Sequence, residues 1–195
     1  MASYHHGNLR ESLLAEARRQ LEKDGIDKLS LRALARAVGV SQTAPYRHFP
    51  DKNALLVALA TNGFSELRQY LIARAEASPD LDAALVEVGL AYVDFAKRNT
   101  ALYKLMFGPA LANKELCPEL YESAESCIKE LQALIQLKIS TPESDETLWY
   151  ITINAAALIK GHTGMILEGI DNCHPDTGED FDLSKALRVF LSMLP

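Results

Sequence analysis

The chain has 195 residues, 48% hydrophobic and 24% charged, which suits a folded protein of one or two small domains and argues against disorder or low complexity. No unbroken apolar run approaches the roughly 20 residues of a membrane span, and the first residues carry no apolar signal core, so a cytoplasmic protein with no membrane partner is expected. The net charge of −6 hides a split: residues 1–50 hold eight Lys/Arg against five Asp/Glu, a net of +3, and residues 51–195 hold twelve against twenty-one, a net of −9, so an anionic partner is sought at the N-terminal end.

Helical spacing recurs along nearly the whole chain and strand alternation does not, which predicts an all-α fold of about nine helices. The first helix is expected over about Leu9 to Lys23, with Leu9, Leu13, Leu14, Ala17 and Leu21 on one face and Gly25 as the stop. Ser30 then caps a short helix ending at Val38, Gly39 supplies a tight turn and Val40 plugs the core. Ser41 is read as the cap of a third short helix ending near Phe49-Pro50. Pro45 removes an N–H early in that helix, which predicts a shortened or distorted element. Asp51 caps a long fourth helix reaching about Ala77, broken by Ser78-Pro79-Asp80. Further helices are expected over about Leu81 to Lys97, Ala101 to Phe107, Pro118 to Ile139, Asp145 to Leu167 and Leu183 to Leu194. The stripe Leu81, Leu85, Val88, Tyr92, Phe95 has the 4, 3, 4, 3 spacing of a core-facing helix. The functional division is placed at residue 52, with a helix-turn-helix over 1–52 and a helical effector-binding and dimerisation domain over 53–195.

Helix, glycine turn, helix is the pattern of a helix-turn-helix, whose second helix enters a major groove. Gln42, Thr43 and Arg47 lie near one another on its helical face. Gln pairs bidentately with adenine, Arg with guanine, and Thr meets a thymine methyl. Tyr46 and His48 are candidate phosphate donors, Lys52 sits in the first turn of the next helix, and Arg32 opens the second helix within reach of a base or the backbone. Phe49 reads as core. The run Leu31-Arg32-Ala33-Leu34-Ala35-Arg36-Ala37-Val38-Gly39-Val40-Ser41, continued by Tyr46-Arg47-His48-Phe49 and Lys52-Asn53-Ala54-Leu55-Leu56, resembles the TetR family of transcriptional regulators. The match is dense across about residues 9–56; beyond it the chain resembles the family only in length and helix count. The resemblance implies that Arg32, Ser41, Gln42, Thr43, Tyr46, Arg47, His48 and Lys52 are the DNA contacts. Tyr4-His5-His6-Gly7-Asn8-Leu9-Arg10 looks like a lead segment found in a subset of such proteins, a candidate arm lying against DNA.

One short helix reads a half-site weakly, so a homodimer on a near-palindromic double-stranded operator is expected. The last two helices are the candidates for pairing: one carries Ala155, Ala156, Ala157, Gly161 and Gly164, the other an apolar face of Leu183, Leu187, Phe190, Leu191 and Leu194. Tyr103-Lys104-Leu105-Met106-Phe107-Gly108-Pro109 resembles the sixth helix of a TetR subgroup that places a Trp and a His-Gly pair in its eighth helix; this chain has Ala156 and Lys160-Gly161 there. Effector-pocket candidates therefore rest on residue chemistry: Tyr92, Phe95, Met106, Phe107, Trp149 and Ile153 as apolar walls, with Asn154, Lys160 and His162 as polar groups that orient a ligand. For each aromatic, plain core is the competing reading.

Cys117, Cys127 and Cys173 are odd in number and lack CxxC spacing, which predicts free thiols rather than zinc ligands; Cys173-His174 in the Gly169 to Asp182 loop reads as exposed rather than metal-binding. No nucleophile-base set, phosphate loop or metal spacing is found, so no enzyme, cofactor or metal is expected. The sequence thus points to a ligand-responsive regulator released from its operator by a small-molecule effector; the alternative is a DNA-binding activator or architectural factor without a small ligand.

Overall fold

The computed structural model describes residues 9–111, 117–139, 144–170, 178 and 180–194. Among these are eight α-helices and no strand: α1 (Leu9–Asp24), α2 (Leu31–Val38), α3 (Lys52–Glu76), α4 (Leu81–Arg98), α5 (Thr100–Met106), α6 (Pro118–Ile139), α7 (Asp145–Leu167) and α8 (Leu183–Ser192). The all-α expectation holds, and the helix boundaries fall within a residue or two of the expected ones. One element differs. The third helix of the sequence reading is a single 3-10 turn, Ala44–Arg47, with Pro45 in its first positions.

Local chemistry explains most boundaries. The Ala33 N–H donates to Ser30 Oγ at 3.2 Å, which fixes the start of α2. Gly39 ends it at φ +79°, and the Val40 N–H closes back on the Ala35 carbonyl at 2.9 Å. The Ala54 N–H donates to Asp51 Oδ1 at 2.8 Å, the cap expected for α3. The Ala83 N–H donates to Asp80 Oδ1, and the Thr147 N–H to Ser144 Oγ, at the starts of α4 and α7.

The chain divides into two compact units, one of residues 1–64 and 99–122 and one of residues 65–98 and 123–195. In the first unit α1 packs on α2, on the 3-10 turn and on α5. Its core holds Leu13, Leu21, Leu29, Leu34, Phe49, Leu55 and Leu102. The first unit includes α5, which returns to the N-terminal helices from far along the chain.

In the second unit α4 packs against α7 and α8. Helix α4 buries Leu85, Val88 and Phe95 of the expected stripe, together with Ala84, Val86, Ala91, Val93 and Ala96. Gly89 permits its approach to α8, since a Cβ there would lie 2.5 Å from Leu187 Cδ1. Thr152 and Thr163 are fully buried within α7, and each hydroxyl donates to the carbonyl one turn earlier, at 2.8 and 2.7 Å. Ion pairs join Arg68 to Glu130, Arg74 to Glu87, and Lys138 to Asp82.

Candidate nucleic-acid interface

The stretch from Arg32 to His48 is built of buried anchors and exposed polar groups. Pro45 and Phe49 are the anchors, with Phe49 only 2% exposed. Between and before them Ser41, Gln42, Thr43, Tyr46, Arg47 and His48 are all exposed, and Arg32 and Arg36 are exposed on α2. An aromatic such as Tyr46, 45% exposed beside a fully buried Phe49, offers its ring edge and hydroxyl to a partner.

The backbone follows from Pro45. It has no N–H to give, so the segment closes through 3-10 bonds: Ala44 to the Ser41 carbonyl (3.0 Å), Tyr46 to Thr43 (3.3 Å) and His48 to Pro45 (3.0 Å). Ser41 does not cap through its side chain as expected; its hydroxyl meets the Thr43 hydroxyl at 3.2 Å. Tyr46 and Arg47 lie within the 3-10 turn, and Gln42 and Thr43 lie in the two positions just before it.

Lys52 is placed differently from its neighbours. It is half-buried, and its ammonium donates to the Ile26 carbonyl at 2.7 Å and more weakly to that of Asp27. The side chain therefore ties the α1–α2 loop to the start of α3. This contact reaches 25 and 26 positions back along the chain, which is why the sequence reading missed it. Arg10 stands with its guanidinium carbon 5.5 Å from the centroid of the Phe49 ring. The rest of the proposed arm, Tyr4–Asn8, lies outside the described residues, as do Cys173 and His174.

Arg19 and Gln20 hydrogen-bond the Glu16 carboxylate and lower its pKa to about 2. In the second unit the Tyr70 hydroxyl donates to Asp94 at 2.7 Å, which lowers the carboxyl and raises the phenol. Burial pushes the Cys127 thiol up to about 11, so it is not a nucleophile at neutral pH.

The effector candidates fall in both units. Met106 and Phe107 belong to the first, where Phe107 lies edge-on to Phe64 at 5.2 Å and tilted against Tyr103 at 4.9 Å. Tyr92, Phe95, Trp149, Ile153, Asn154 and His162 belong to the second. Phe95 is buried, Tyr92 and Ile153 are half-buried, while Trp149 is 44% exposed and Asn154 is exposed. Trp149 and Asn154 thus stand on the surface of the chain rather than among its buried residues. His162 stacks on Phe181 with ring centroids 4.4 Å apart, and its buried Nδ1 has no hydrogen-bond partner among the described residues.

Comparison with known proteins agrees with this architecture. Residues 13–59 match the model of the bacterial regulatory proteins, tetR family. The nucleoid occlusion factor SlmA of Haemophilus ducreyi is 30% identical over 96 residues, 48% of each chain, so the match spans about half the length of that relative. The factor of the same name from Citrobacter koseri is 32% identical over 152 residues, 72% of this chain and 75% of that one. A protein with unknown function from Rhodococcus sp. RHA1 superposes with a TM-score of 0.81 at 32% identity, covering 100% of this chain and 99% of its own. The chain belongs to the tetR family of bacterial regulatory proteins.

Proposed function

We propose that this chain is a cytoplasmic, dimeric, ligand-responsive transcriptional regulator, acting as a repressor, that binds a near-palindromic operator through the segment Arg32–His48 and is released by a small-molecule effector. The observation that carries the reading is the exposed set Gln42, Thr43, Tyr46, Arg47 and His48, the first two before the buried Pro45 and the last three between it and the buried Phe49, within the matched family region. Gln42, Thr43 and Arg47 read bases; Arg32, Ser41, Tyr46, His48 and the remaining donor of Lys52 meet phosphates.

Pairing through α7 and α8 is supported by what a lone chain leaves uncovered. Tyr150 (60% exposed), Val189 (48%) and Met193 (73%) face water. A Cβ added at Gly161 or Gly164 would meet nothing within 4 Å, so nothing within the chain's described surroundings requires glycine there. Glycine inside a helix costs roughly 1 kcal/mol relative to alanine. Close approach of a second helix from a partner protomer accounts for that cost.

The effector is proposed to be an apolar or amphipathic molecule; its candidate contacts are Met106 and Phe107 in the first unit and, in the second, Tyr92, Phe95, Trp149 and Ile153 with Asn154 and His162 as polar groups. A ligand shifts DNA affinity only if it binds the two states differently. Titration of candidate effectors into a preformed DNA complex tests this: release of the duplex supports the reading, and binding without release defeats it. A second reading, a DNA-binding factor that answers to no small molecule, is favoured by the likeness to the nucleoid occlusion factors. Retention of duplex binding across every effector offered would decide for it.

A further inference from the structure

A helix of seven residues does not hold itself together in water. Helix α5 therefore depends on what caps and covers it. Its own N-cap position, Asn99, makes no side-chain cap hydrogen bond. The Asn99 Oδ1 instead accepts from Arg18 Nη2 of α1 at 2.8 Å. The cap comes from α1 as well: Glu22 Oε2 accepts from the Ala101 N–H at 3.1 Å and Glu22 Oε1 from the Leu102 N–H at 3.0 Å. Arg18 Nε lies 3.6 Å from the same carboxylate, one turn back along α1. A negative charge at the N-terminal end of a helix satisfies its unpaired N–H groups and opposes its dipole.

The other side of α5 is equally constrained. A Cβ at Gly63 of α3 would lie 2.7 Å from Met106 Sδ and 2.8 Å from Leu102 Cδ2, so α5 rests directly on the α3 backbone. The same α1 that supplies the cap packs on α2 and on the 3-10 turn that carries Arg47, one of the base-reading candidates. All of these residues belong to one compact unit.

We propose that Glu22 is a positioning residue, a latch that makes order in the first turn of α5 conditional on the position of α1, so that holding DNA and holding α5 are linked. The cap rests on the geometry alone; the linkage to DNA rests on the function proposed above. Linkage is reciprocal: whatever α5 order contributes to DNA affinity, bound DNA returns as protection of α5.

Amide hydrogen exchange at Ala101 and Leu102 in the full chain, with and without a bound duplex, is the direct test. In Glu22→Ala we expect these two amides to exchange about tenfold faster or more, and duplex affinity to fall about fivefold. Glu22→Gln keeps an acceptor oxygen and should recover part of both effects. Bound duplex should slow both amides in the native chain and not in Glu22→Ala. Should Glu22→Ala fail to fold, Glu22→Gln and Arg18→Ala, which loosens the same carboxylate, are read in its place. Unchanged exchange in the variants overturns the cap. Native amides indifferent to a duplex that does bind overturn the linkage. A native chain that holds no duplex sinks the DNA reading and the linkage with it, while the exchange rates still judge the cap.

Discussion

The reading head and the α7–α8 region are finished in opposite ways. Across α1, α2 and the 3-10 turn the apolar side chains are inside, and Tyr46 is the one large hydrophobic residue left exposed among those described. In α7, α8 and the segments beside them Trp149, Tyr150, Ile170, Phe181, Val189 and Met193 all face water. A surface of exposed arginine, glutamine, threonine and tyrosine is complete as a single chain and suits a wet, anionic partner. A surface with that many exposed apolar groups suits a second protein surface. The difference teaches that the exposed groups of the N-terminal segment are mostly polar and those of the α7–α8 region mostly apolar, which is why a DNA-reading head and a pairing face are proposed for them.

The comparison breaks most sharply at the interface. Gly161→Leu combined with Val189→Asp should convert a dimer to monomers, seen by sedimentation. Affinity for a full operator should then fall by about 10²–10⁴-fold as the two heads lose their shared tether. A variant that remains dimeric would move the interface elsewhere. In the head, Phe49→Ala should cost about 3–5 kcal/mol of stability in denaturant unfolding, because it empties the anchor beneath the reading segment. A loss under 1 kcal/mol would show that the anchor is not what holds the 3-10 turn.

Arg47→Ala should leave folding intact and remove about 1–3 kcal/mol of discrimination between a selected duplex and its scrambled counterpart. Lys52→Met should act differently. It should lower stability by about 0.5–1.5 kcal/mol through loss of the Ile26 carbonyl contact, and weaken selected and scrambled duplexes alike. A change in sequence preference in Lys52→Met would contradict the placement of its ammonium.

The smallest effect concerns acid. The folded-state pKa of Glu16, about 2, lies below the ordinary value of 4.5. The unfolded chain therefore takes up a proton first, and the stability this pair contributes is present above about pH 4.5 and lost as pH falls towards 2. Glu16→Gln should flatten that part of an acid titration and leave neutral DNA binding unchanged. An identical acid limb in the variant would remove Glu16 from the account.

Most helix boundaries were legible in the sequence because local groups set them: Ser30, Gly39, Asp51 and Ser144 act within three or four residues of themselves. The 3-10 turn was half legible, since Pro45 announced a distortion but helical spacing alone does not say that the element shrinks to Ala44–Arg47. Three features were hidden. The Lys52 contact spans 26 positions and the Glu22 cap 79 and 80, and no local periodicity encodes such distances. The exposure of Trp149 and Asn154 was also hidden, because helical spacing identifies an apolar or polar face without saying whether its own chain covers it.

The central claim is that paired heads read a duplex through Arg47 and its neighbours. Fluorescence anisotropy with a duplex selected from a random pool, titrated at two salt concentrations with native chain and with Arg47→Ala, tests it most directly. The account predicts two protomers per duplex, affinity that falls as salt rises, and loss of preference for the selected sequence in the variant. A native chain that binds no duplex at low salt, or a variant that keeps full preference, would contradict it.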